Sequence, residues 1–224
     1  MNPTIDLRPA LSFIQDLREN NNRPWFEQNR AYYEQARDAF ESFVNYLINK
    51  FRESDQLQGL TARECVARIY RDIRFSKDKS PYRTGLGARI APGGWKATRL
   101  GYYVHLEPSG QTVIAGGLYM PEPGQLARFR RAMDRDATQF RQLTQAKSFL
   151  ETFGTIRGEK LKTAPQGYDR SHPEIELLQL KQVTVVHPYS DAQVLAPDFP
   201  TRALAVCRTM KPFLDYLDGV LEEA

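Results

Sequence analysis

The chain has 224 residues, 41% of them hydrophobic and 26% charged, with a formal charge of +4. These are ordinary globular values, and a chain this long buries roughly 70% of its unfolded surface. They exclude a disordered or low-complexity protein, and no apolar run approaches the ~18 residues that a membrane helix needs.

Pro9 opens a predicted helix in which Leu11, Ile14 and Leu17 repeat at helical spacing, and Asn20-Asn21-Asn22 stops it. Asparagine tolerates a left-handed cap and also serves as an N-cap, so the triplet can end one helix and begin the next. Pro24 falls in the first turn of that next helix, where its missing N–H costs nothing. From Trp25 the apolar residues Tyr33, Ala36, Phe40, Phe43, Val44, Leu47 and Phe51 step by three and four, which predicts one long amphipathic helix with its aromatic stripe in the core.

Residues 55–64 read as a connection with a short turn. VARIY (66–70) alternates as a strand, LGARIAP (86–92) forms another, and Pro92-Gly93-Gly94 turns the chain. RLGYYVHLEP and QTVIAGGLYM flank Ser109-Gly110, the strongest hairpin signal present. Strand periodicity puts Tyr102, Val104 and Leu106 on one face and Tyr103, His105 and Glu107 on the other. Gly116-Gly117 marks a bulge or a close backbone approach.

After Pro123 the helical spacing returns through Phe129, Met133, Phe140, Phe149 and Phe153, with Gly154 as a stop. Residues 155–170 read as a basic loop, and Ser171 caps a short helix carrying Ile175, Leu177 and Leu178. KQVTVV (181–186) is a last strand, and 198–221 a terminal helix that Pro212 should kink or divide. This order predicts an α+β fold in a single domain over 1–224. A central, mostly antiparallel sheet with a hairpin is flanked by long N- and C-terminal helices.

Cys65 and Cys207 lack CxxC spacing, which fits two buried thiols in a reducing compartment. The opening MNPTIDLRPALSF carries Asp6 and has no apolar signal core, so the expectation is a soluble, cytoplasmic protein that does not engage membranes.

Charge is concentrated in one place. RIYRDIRFSKDKSPYRTGLGAR (68–89) holds five arginines and two lysines against two aspartates, a surplus of five positive charges, so the rest of the chain is slightly negative. Arginine is favoured where planar, bidentate recognition of phosphate or carboxylate is needed. Arg71, Arg74, Lys77, Lys79 and Arg83 are therefore candidate anion ligands, which Lys160, Lys162 and Lys181 could extend into a composite pocket. The competing reading has Asp72, Asp78 and other acidic residues absorbing these charges in a structural network with a solvated face.

Tyr103, His105 and Glu107 are the candidate catalytic residues, because same-face spacing lets Glu107 raise the basicity of His105 and form an acid–base pair. The plainer alternative is a polar strand face beneath a helix. His172 and His187 each precede proline and belong to turns. No HExxH, phosphate-binding glycine loop or GxSxG elbow is present, and Gly85-Leu86-Gly87 is too short a pattern for a dinucleotide turn. No metal site is expected, and the residues name no cofactor.

NNNRPWF, IYRDIRFSKDKSPYRT, GYYVHLEP, GGLYMPEP, LKTAPQGYDRSHPEIELLQLK and KPFLDYL follow one another in the chain. In that order they resemble domain-of-unknown-function family 2461, from about Pro9 to Leu217. The resemblance implies a single soluble domain and supplies no activity. The family pattern usually has lysine where Arg83 stands, which keeps the charge and changes the hydrogen-bonding geometry. Phenylalanine is common in place of Ala67.

Two function classes follow. One is a pocket for a phosphorylated or carboxylated small molecule, with acid–base chemistry at His105 and Glu107. The other is a non-enzymatic module that binds nucleic acid or protein, in which Tyr70, Phe75, Tyr82 and Trp95 interleave the cations as stacking platforms. The lack of a lysine-rich tail or a second basic stripe favours the pocket.

Overall fold

The computed structural model describes residues 5–222; the first four residues of the opening stretch lie outside them. Helix α1 spans Arg8–Glu19 and buries Leu11, Phe13, Ile14 and Leu17. Asn22 caps α2 (Arg23–Gln28), its side chain accepting the Trp25 N–H at 3.0 Å. The single long helix expected from Trp25 is interrupted. Asn29 turns its side-chain amide to the Trp25 carbonyl at 2.9 Å, and α3 (Arg30–Phe51) starts anew. Asparagine competes with the helical backbone in this way, which apolar spacing does not register.

A short helix α4 (Ala62–Cys65) follows the connection, with Glu64 accepting the backbone N–H of Thr61 at 2.9 Å. VARIY makes only isolated antiparallel bridges, Val66 to Ala88 and Tyr70 to Tyr82, where a full strand was expected. Strand β1 is Leu86–Ile90, β2 is Tyr102–Leu106, β3 is Thr112–Leu118 and β4 is Val183–Tyr189. They form an antiparallel sheet in the order β1-β2-β3-β4, with Gly87 opposite His105 and Arg89 opposite Tyr103. The β2–β3 turn places Ser109 and Gly110 at φ +66° and +71°, the left-handed pair that a two-residue hairpin needs.

Helices α5 (Pro123–Arg135), α6 (Thr138–Gln145) and α7 (Lys147–Phe153) end at Gly154, φ +69°. After them come α8 (Ile175–Leu178), α9 (Asp191–Val194) and α10 (Phe199–Glu222). The sequence reading missed α9, whose cap Ser190 accepts the Gln193 N–H at 3.3 Å. Pro212 lies inside α10 without dividing it. Met210, Phe213, Leu214 and Leu217 are buried on both sides of it, and that burial outweighs the roughly 3 kcal/mol a helical proline costs. The architecture is α+β.

By contacts the chain forms two compact units. The first takes in the described residues to Thr98, with Tyr102–Ile114 and Pro188–Leu204. Its core holds Phe26 stacked on Tyr82 at 4.1 Å, Phe13 edge-on to Phe26 at 6.3 Å, and Phe51 stacked on Tyr102 at 4.7 Å. The second holds Arg99–Gly101, Ala115–His187 and the residues from Ala205 on. There Phe129, Phe140, Phe149 and Phe213 form a ring cluster, and the Gly116-Gly117 signal proves to be a close approach. A Cβ on Gly117 would stand 2.2 Å from the Val183 carbonyl oxygen.

Cys65 and Cys207 are buried and unbridged. Among the described residues no helix is long and apolar enough to cross a membrane.

Candidate functional site

The outward face of β2 lies in the first unit and is assembled by strand alternation. Tyr102, Val104 and Leu106 are buried, while Tyr103, His105 and Glu107 are half-buried on the other side. His105 Nε2 lies 2.7 Å from Glu107 Oε2, and His105 Nδ1 lies 3.4 Å from the Tyr103 hydroxyl. The Tyr103 and His105 rings are nearly parallel, with centroids 6.2 Å apart. Thr112 holds the Glu107 end, because its buried hydroxyl donates to the Glu107 carbonyl at 3.0 Å and accepts the Glu107 N–H at 3.2 Å.

Glycine lets the chain approach this face closely. A Cβ on Gly85 would stand 2.6 Å from His105 Cε1 and 3.2 Å from Glu107 Oε2. One on Gly87 would stand 3.0 Å from the Tyr103 hydroxyl oxygen. The absence of side chains at Gly85 and Gly87 thus lets this backbone pack closely against the three side chains.

The basic segment leaves and re-enters beside this face. The Ala67 N–H donates to the Gly87 carbonyl and the Arg83 N–H to the Ile69 carbonyl, each at 2.8 Å. Between those bonds Thr84, Gly85 and Leu86 oppose Arg68 alone, a bulge of the kind that re-aims neighbouring side chains. Arg71 N–H closes the excursion on the Pro81 carbonyl at 2.9 Å. Asn21, from the triplet after α1, clamps Tyr82 by accepting its N–H at 3.1 Å and donating to its carbonyl at 3.0 Å.

These elements enclose a cleft of about 400 Å³. Of the sequence-nominated residues, Arg71, Arg83, Tyr103, His105 and Glu107 line it together. Arg74, Lys77 and Lys79 are exposed and do not. Arg74 forks onto Asp72, with Nη2 to Oδ2 at 2.7 Å, and Lys79 donates to the Ile73 carbonyl at 3.0 Å. Lys160 and Lys181 pair with Glu176 and Glu159 at 3.3 and 3.1 Å, Lys162 is exposed, and none of the three lines the cleft.

Arg18, Asn21 and Trp95 line it as well. Sequence reading named Trp95 only as a stacking platform and missed Arg18. Arg18 lies in the last turn of α1, where a basic residue reads simply as complementing the helix dipole.

The charges are unequally committed. Arg71 pairs with Asp78 and donates to the Ser80 carbonyl at 3.2 Å. The Ser80 hydroxyl and N–H, then Arg71, hold the Asp78 carboxyl far below the usual range, so it stays ionised. Arg18 reaches the Pro108 carbonyl and the Ser109 hydroxyl at 3.5 Å, the edge of hydrogen bonding. Arg83 has no ion pair among the described residues. Such a cleft can take an anion on guanidinium groups and offer it an imidazole–carboxylate pair.

The remaining histidines bond backbone groups and one carboxylate away from the cleft. His172 bonds Asp134 at 3.0 Å and accepts the Glu174 N–H at 3.0 Å, and His187 bonds the Thr152 carbonyl at 2.7 Å. Among the described residues no three His, Cys, Asp or Glu gather as metal ligands would.

Fold and site together define an α+β protein with a basic cleft over an antiparallel strand pair. The chain belongs to the family of conserved hypothetical proteins DUF2461, whose model matches residues 9–216. No curated protein and no solved structure matches it.

Proposed function

We propose that the cleft binds a phosphorylated or carboxylated small molecule and performs acid–base chemistry on it. The observation that carries this reading is Arg83, a guanidinium without an ion-pair partner among the described residues, in the same cleft as the 2.7 Å His105–Glu107 pair. Arg83 and Arg18 take the anion, while Arg71, paired with Asp78, completes the wall. His105 keeps its proton on Nε2, donated to Glu107, and its Nδ1 lone pair accepts a proton from the Tyr103 hydroxyl or from the ligand. Glu107 then stabilises the imidazolium that forms.

Titration calorimetry with inorganic phosphate, a sugar phosphate and citrate tests the binding. Charge-assisted bonds contribute roughly 1.5–3 kcal/mol each, so R83A should weaken the preferred anion about ten- to a hundredfold while leaving the melting temperature nearly unchanged. Loss of stability with no anion effect would support the structural charge network instead.

One observation favours a second reading, a single-stranded nucleic-acid surface. Phe75 is 95% exposed at the tip of the excursion, with the Arg74 guanidinium 5.8 Å from its ring and Lys77 and Lys79 beside it in sequence. Oligonucleotide affinity that falls steeply with salt and is lost in F75A would select this surface over the cleft.

A further inference from the structure

The cleft has two chemically different ends, and their order along β2 restricts what fits. At one end is Trp95, 39% exposed and lining the cleft, with its ring centroid 6.5 Å from that of Tyr103. Trp95 sits in a 3-10 turn, Gly94–Lys96, held tightly against α4. Gly94 is at φ +63°, and a Cβ there would stand 2.5 Å from the Glu64 carbonyl oxygen. The indole is therefore presented by a braced turn.

The cations belong to the other end. Gly87 lies over Tyr103, and Gly85 lies over His105 and Glu107. Arg83 is two residues further along the same chain, whose course is tracked by the 67–71 backbone. Arg18 also reaches this end, at Pro108 and Ser109, just beyond Glu107. From Trp95 the order along β2 is Tyr103, His105, Glu107, with Arg18 beyond Glu107 and Arg83 in the chain that leads into Gly85. Tyr103 to Glu107 alone covers roughly 13 Å of strand.

We propose that the ligand is a phosphate ester bearing a flat heteroaromatic ring, of nucleoside monophosphate size. Its ring stacks on Trp95, its phosphate meets Arg83 and Arg18, and the sugar between them passes beside the His105–Glu107 pair where that pair lines the cleft. This deepens the small-anion reading and rests on it. The cleft's volume of about 400 Å³ lies in the range of about 300–1,000 Å³ typical of small-ligand sites. A ring face on indole also recognises any base without reading its edge, so little discrimination among bases is expected.

The test is titration of the full chain with inorganic phosphate, ribose 5-phosphate, adenosine and adenosine 5′-monophosphate. The monophosphate should bind at least about tenfold more tightly than ribose 5-phosphate. W95A should erase that difference and leave ribose 5-phosphate unchanged, whereas W95F should retain most of it. R83A should weaken both phosphates and leave adenosine unchanged. Circular dichroism of each variant separates lost binding from lost fold. Equal binding of the two phosphates, or a preference that survives W95A, overturns the ring site and leaves the small-anion reading standing. No binding of any phosphate or carboxylate overturns both.

Discussion

Gly85 carries no side chain, and the position of His105 depends on that. A methyl group 2.6 Å from His105 Cε1 cannot be accommodated without moving the ring or the bulged backbone. G85A is therefore expected to break the 2.7 Å His105–Glu107 bond while the protein stays folded. Histidine ring resonances in NMR would report the change, and an unaltered His105 signal would contradict it. Asp218 is a second single-residue case. Burial pushes its carboxyl above the ordinary value, against the Leu100 N–H at 2.8 Å and Arg99 at 3.6 Å, which favour the charged form. A raised carboxyl contributes stability below its unfolded value of 3.8 and loses it as pH rises through the folded value. D218N, which can still accept the Leu100 N–H, should hold or raise neutral-pH stability by less than about 1 kcal/mol. That gain should vanish in acid melts. Burial, with Glu64 adding to it, also pushes the Cys65 thiol up to about 12. Its reaction with a thiol reagent at pH 8 should therefore follow global unfolding, and fast labelling of the native protein would refute this.

The elements show where local chemistry overrides periodicity. Asn22 begins α2 by capping the Trp25 N–H, and N22A should cost about 1 kcal/mol in denaturant melts. Asn29, seven residues on, interrupts a helical stripe that hydrophobic spacing alone would continue. The β2–β3 hairpin is tied by Thr112, and Asp191 accepts the N–H groups of Ser109 and Gly110 at 2.8 and 2.9 Å. T112V should leave the half-buried Glu107 backbone groups short of a partner at a cost of about 1 kcal/mol. It should also loosen Glu107 against His105, visible as weaker anion binding. The strand expected at VARIY is reduced to bridges because the bulge at Thr84–Leu86 breaks the ladder it would need.

For the whole molecule, the boundary between the two compact units falls inside β3, β4 and α10 rather than in a linker. We expect one cooperative unfolding transition, since each unit is built from several separate stretches of the chain. Two resolved calorimetric peaks, or two stable proteolytic fragments, would count against it.

The sequence alone determined the α+β class, the hairpin at Ser109-Gly110 and the two faces of β2, because each depends on neighbours a few residues apart. It also showed that a concentration of arginine lies between two strand signals. It did not show which of those arginines share a cleft. Arg74 and Arg83 look alike in sequence, yet Arg74 is spent on Asp72 two residues away while Arg83 lines the cleft with His105 and Glu107. Arg18 joins them from 65 residues before Arg83, and Trp95 from 12 residues after it, beyond β1. Tertiary structure decided which of the nominated cations belong there and added Arg18. Charge pairing and close packing depend on distances in space, and local periodicity carries no information about them.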